Sequence, residues 1–208
     1  MKTFFKLSCS FAIIGLFFST SCTSTSTKMS SVWKDNKYTG GFIDNVMVVG
    51  RSDKFERRKM FEETFVKRFE KHGVRAVSSV AATSPNRELS KEIIIAKAEK
   101  LEIDTVLVTH LISVNKEEEY HPPSTTAAPN RYFRFDTYSY SSGDYSKYGG
   151  TYSEKKHVKL ESNLYELATE KLIWSAKSET IDPKSVSDVF DSLCVTIMKN
   201  LRENKLLR

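Results

Sequence analysis

Four apolar residues in a row, Val46-Met47-Val48-Val49, stand between Asn45 and Gly50 and constrain this chain more than any other stretch. A half-buried strand alternates apolar with polar residues. An unbroken run with two adjacent β-branched valines instead suits a strand covered on both faces. We read Phe42–Gly50 as the first strand, and the cover follows it directly. Phe61, Phe65 and Phe69 recur every four residues, with Phe55, Glu62 and Val66 close to the same face, which predicts a helix to about His72 with that stripe turned inward. Ser52 or Asp53 stands where its N-cap belongs, and Asp53 with Glu56 fits a capping box. Gly73 falls where a left-handed C-cap residue is expected, and His72, when protonated, would favour the dipole at the helix end.

The same alternation of elements continues. Val74–Ser79 reads as a strand, Ala81–Arg87 as a loop, and Glu88–Leu101 as a helix whose apolar side is Leu89, Ile93, Ile94, Ala98 and Leu101. Thr105–Val114 is a long strand, apolar enough to lie inside a sheet. Further on, Val158, Leu160, Ser162 and Leu164 alternate with polar neighbours, Ala168–Lys171 turns the chain, and Leu172, Trp174 and Ala176 mark a returning strand. A last helix, Lys184–Arg202, carries a core stripe that includes Val189, Leu193, Ile197 and Leu201. The expected fold is α/β (α+β): a single domain with a mixed five-stranded sheet in the order β-α-β-α-β-β-β-α and helices packed on it. Right-handed crossovers make the first three strands parallel with the first in the middle, and the hairpin antiparallel.

Residues 117–152 have a different composition. Pro122, Pro123, Pro129, Gly143, Gly149 and Gly150 lie here, with seven of the nine tyrosines. A loop of this length in a compact domain is either functional or a mobile extension. Tyrosine among Ser and Gly is the composition of adaptable contact surfaces, where the ring supplies area and the hydroxyl a polar handle. Tyr132, Arg134, Tyr138, Tyr140, Tyr145 and Tyr148 are the candidate partner- or ligand-binding residues.

The N-terminus carries an address. Lys2 and Lys6 form a basic start, and Leu7–Phe18 is apolar but shorter than the about 20 residues that a membrane-spanning helix needs. Small residues Ser19-Thr20-Ser21 then precede Cys22. Residues 1–22 resemble a bacterial lipoprotein signal peptide with its lipobox, although Ser19 stands where that family favours Leu. The resemblance implies removal of residues 1–21, a diacylglycerol thioether and N-acylation (palmitate) on Cys22, and, with Thr23 rather than Asp following, residence at the outer membrane facing the periplasm. Residues 22–35 are then the lipidated cysteine and a flexible Ser/Thr-rich tether, and residues 36–208 the folded domain. Cys194 is left without a disulfide partner and reads as a buried small hydrophobe.

The element order is similar to that of the small α/β domain of periplasmic lipoproteins related to the N-terminal domain of the translocation protein TolB, shared by the curli-secretion lipoprotein and the lipoprotein activator of penicillin-binding proteins. The local echoes are Arg58-Lys59-Met60-Phe61-Glu62 with Gly73 behind it, Leu164-Tyr165-Glu166-Leu167, and Thr169–Ser175 on the hairpin. That resemblance implies a non-enzymatic role in envelope assembly.

Catalytic and cofactor signatures are missing from the sequence. Arg51-Ser52-Asp53 follows the first strand where a glycine-rich phosphate loop would stand, the four histidines are scattered, and no metal-ligand or nucleophile-elbow spacing occurs. We expect no cofactor, no metal and no catalytic residue. The net charge of +6 is intermixed, which argues against a nucleic-acid partner. The expectation is a scaffold or adaptor held on the membrane by lipid at Cys22 and docking another envelope protein. The alternatives are a module binding a glycan or small molecule through the Tyr-rich loop and, less favoured, a cell-wall hydrolase.

Overall fold

A computed structural model describes residues 25–82, 89–121 and 151–208. In chain order these form β1 (Thr27–Lys34), β2 (Asn45–Arg51), α1 (Phe55–Glu70), β3 (Arg75–Ser78), α2 (Ser79–Ala82), α3 (Lys91–Lys100), β4 (Thr105–His121), β5 (Thr151–Glu166), β6 (Lys171–Ile181) and α4 (Val186–Glu203). The described strands make one sheet in the order β1-β6-β5-β4-β2-β3. β2 runs parallel to β3 on one side and to β4 on the other, and every remaining pairing is antiparallel. The class is the expected α/β (α+β) one, and the first of the three parallel strands does lie between the other two.

The apolar run explains itself in the packing. Val46 and Val48 point to one face of the sheet, Met47 and Val49 to the other, and all four are buried. On the first face α1 and α4 close over the sheet: Phe61, Phe65 and Phe69 meet Leu193, Ile197 and Leu201 above Leu107, Leu164 and Trp174. Trp174 is fully buried, and its indole Nε1 donates to Asn200 Oδ1 at 3.0 Å, so its one polar atom is satisfied. On the second face α3 covers only the parallel strands, through Ala98 with Ile94 and Leu101 over Met47, Val49 and Val106.

Four features differ from the sequence reading, the first being α2, because Ser79–Ala82 is helical where the end of a strand and the start of a loop were expected. The sheet has six strands, not five, because Thr27–Lys34, assigned to the 22–35 tether, pairs antiparallel with β6. Thr27 Oγ1 and Thr180 Oγ1 lie 2.7 Å apart, and Lys34 Nζ donates to the Asn204 carbonyl at 2.6 Å. As an edge strand β1 buries little, so its polar composition conceals it. The start of α1 also differs. Lys54 occupies the N-cap without a side-chain cap, and Ser52 Oγ instead accepts from Lys54 N–H at 3.2 Å, so the Asp53–Glu56 box is not formed. Finally, the 117–152 loop is shorter than assigned. β4 continues to His121 and β5 begins at Thr151, directly opposite. Gly73 at the end of α1 has the expected left-handed backbone, with φ +74°.

Candidate functional site

Cys22, Tyr132, Arg134, Tyr138, Tyr140, Tyr145 and Tyr148 lie outside the described residues. What the structure does describe is the support for the Tyr-rich segment. β4 is paired to β2 only as far as His110, and β5 to β6 only from His157 onward. The Lys156 carbonyl still accepts from Asp182 N–H at 2.7 Å; beyond it Glu117–His121 and Thr151–Lys155 pair with each other alone, as a two-stranded ribbon continuing past the sheet. Glu117 lies 3.5 Å from His157 and Glu154 2.6 Å from Lys116, while Glu119 pairs with Lys155. At its end the rings of Tyr120 and Tyr152 meet at a tilt of 49° with centroids 5.0 Å apart. Both rings are exposed, and they close the ribbon where residues 122–150 depart.

At the ribbon's root lies a cleft of about 400 Å³, beside the C-terminal end of β2 and the end of its parallel pairing with β4 at His110. That end of an open α/β sheet is where such folds place ligands. Its floor is apolar, with Phe61, Val158, Leu160 and Phe190. Its rim is cationic: Arg51, Arg57, Arg58, Lys156 and Lys184 line it, and among the described residues no carboxylate does. A second, larger depression under α3 differs in charge, since Asp53, Glu166 and Glu170 offset its Arg51, Arg58 and Lys91.

Arg58 is held in the cleft wall by a buried carboxylate. Glu62 has no exposure, yet it sits on the phenylalanine face of α1. Its Oε1 accepts from Gly50 N–H at 3.0 Å, from Arg58 Nε at 3.2 Å and from Ser79 Oγ at 2.6 Å; its Oε2 accepts from Ser78 Oγ and Val80 N–H, each at 2.7 Å. One side chain thereby joins α1 to the end of β2, to β3 and to α2. Gly50 permits the close approach, because a Cβ there would lie 2.9 Å from the Phe61 ring. The sequence placed Glu62 on the core stripe but assigned it no role. A carboxylate among phenylalanines at core spacing was the available signal, since such a group must find donors or neutralise.

Outside the cleft, the described cysteine is buried and His157 and His72 have side-chain partners, as does His110 on the cleft's lining. Burial pushes the Cys194 thiol up to about 12, against a smaller opposing influence from Arg68. His157 Nδ1 sits 2.9 Å from Glu179 Oε1, and this hydrogen bond holds the Glu179 carboxyl below its ordinary range. His110 lies 3.3 Å from Glu161. His72, expected to favour the α1 dipole when protonated, faces a second cation in the structure. Arg202 Nη2 donates to its Nε2 at 2.9 Å, and burial, then Arg202 and Arg68, lower its pKa. Among the described residues no three His, Cys, Asp or Glu side chains gather to hold a metal ion, and no helix is long and apolar enough to cross a membrane.

No protein-family model matches this chain, and no curated protein matches it. Among solved structures, the PelC dodecamer from Paraburkholderia phytofirmans is similar over 82% of this chain and 96% of that one, at 13% identity and a TM-score of 0.46. The lipoprotein GNA1162 from Neisseria meningitidis is similar over 76% of this chain and 98% of its own, at 11% identity and a TM-score of 0.40. No residue of this chain takes a role from either.

Proposed function

We propose that this chain is a lipid-anchored envelope protein, held at the outer membrane and facing the periplasm, that serves as a non-enzymatic scaffold or adaptor for envelope assembly or secretion. The observation that carries this reading is the β4–β5 ribbon, which runs beyond the rest of the sheet to His121 and Thr151, the two residues that flank the tyrosine-rich stretch in the sequence. A two-stranded ribbon with no core of its own is marginal in water. This one is laced by ion pairs and closed by an aromatic pair, as suits an arm that presents a contact segment. Acyl chains on Cys22 would hold the domain at the membrane and raise its effective concentration near membrane partners.

The test is crosslinking in intact cells followed by purification of the tagged protein. It compares the wild type, Cys22→Ala, and a chain in which residues 122–150 are replaced by Asn-Gly. Because His121 and Thr151 already face each other, that two-residue turn closes the ribbon. We expect one defined envelope partner, weakened by Cys22→Ala and lost with the segment. No partner in any of the three would overturn the adaptor reading and leave ligand capture by the Tyr-rich segment as the alternative to pursue.

A further inference from the structure

We propose that the cationic cleft at the root of the ribbon docks the headgroup of an anionic phospholipid in the membrane to which Cys22 anchors the chain. This rests on the anchoring reading for its orientation but on the cleft's own chemistry for its specificity. The first observation is charge. Arg51, Arg57, Lys156 and Lys184 stand exposed around an apolar floor, with the guanidinium of Arg58 fixed among them by Glu62. An anionic headgroup with the first methylenes of its chains has the matching pattern. Near a bilayer, each such cation adds roughly fivefold to association with anionic lipid.

The second observation is chain length. The described chain begins at Thr25, and Thr25–Thr27 lie in a shallow depression against the first turns of α4. Lys184 lines both that depression and the cleft. Two residues separate Cys22 from Thr25, and the three residue steps span at most about 11 Å of extended chain. An acylated Cys22 would therefore hold this end of the molecule against the bilayer. The surface beside the chain's entry fits that placement, since Ile181, Val186 and Val195 are all exposed there. The nearby carboxylates Asp188 and Asp191 line the depression under Thr25–Thr27, not the cleft.

The experiment uses the chain from residue 22 with Cys22→Ala. This keeps every described element, because β1 begins at Thr27 and both core clusters lie between Ile43 and Leu207. Flotation with vesicles of phosphatidylcholine alone, or mixed with phosphatidylglycerol, measures partitioning. We expect binding only to the mixed vesicles. Arg57→Gln with Lys156→Gln should lower it roughly twenty-fold. Arg57→Lys with Lys156→Arg should preserve it, as should Lys71→Gln with Lys100→Gln at the opposite end of the sheet. Three outcomes would overturn the proposal: no binding by the parent chain, equal binding to phosphatidylcholine, or equal loss with the Lys71 and Lys100 pair. Acylation is read separately, as incorporation of labelled palmitate in cells by the wild type and not by Cys22→Ala. The two readings can therefore fail independently.

Discussion

At the scale of single residues, two buried or half-buried groups carry consequences that a solution experiment can read. Glu62 collects five donors from four elements, and Glu62→Gln turns part of that acceptor into a donor facing donors while removing the carboxylate charge beside Arg58. Breaking a buried pair from one side costs about 3–5 kcal/mol, so urea unfolding of Glu62→Gln should show a loss of that order. A loss within the range of an exposed substitution would mean that the network is not needed. His72 makes the pH dependence specific. Its pKa is lowered from the ordinary 6.5, so the folded state resists a proton that the unfolded chain accepts. The unfolded chain then binds more protons as pH falls through that value, and stability contributed by neutral His72 is present above it and lost below it. Urea midpoints measured from neutral to mildly acidic pH should fall for the wild type and flatten in His72→Gln. A profile unchanged by the substitution would place the pH dependence elsewhere.

At the scale of elements, legibility followed burial. β2 was plain because both of its faces are covered, and α1 and α4 were plain because their apolar residues keep helical spacing under the sheet. β1 was hidden because an edge strand needs no apolar alternation: Thr27, Ser30 and Ser31 read as linker, although Val32 and Trp33 have strand propensity. The outer half of β4 was hidden for a related reason. Lys116-Glu117-Glu118-Glu119 faces water on both sides, and only its cross-strand partners reveal it as strand. Hydrogen exchange separates the two readings of β1. As a strand, Thr27–Lys34 should show alternating protected amides, those pointing at β6, where a tether would show none. The ribbon's end is a second case. Tyr120→Ala should cost about 0.5–1.5 kcal/mol of local ribbon stability through loss of the Tyr152 contact, seen as faster amide exchange at residues 117–121 and 151–155 with the sheet's core unaffected.

At the scale of the whole molecule, the two faces of the sheet are unequal. α1 and α4 cover the first face broadly, whereas on the second face β5 and β6 present Lys159, Glu161 and Glu179 beyond the reach of α3. Cys194 lies within the broader core, fully buried, with its thiol pushed up to about 12. Alkylation at about pH 8 should therefore proceed only through global unfolding, and its rate should rise with urea as the unfolded population does. Labelling at the rate of an exposed thiol would contradict the packing. The placement of β1 also bears on how the protein is made. Thr27 meets Thr180 across 153 positions of chain, so the strand synthesised first has no partner until nearly the last has emerged. Under the proposed acylation of Cys22, the enzymes that carry it out would meet a strand not yet paired to its sheet. The arrival of Lys171–Ile181 then fastens Thr27–Lys34 to the sheet and makes the first strand of the chain the last to find its place.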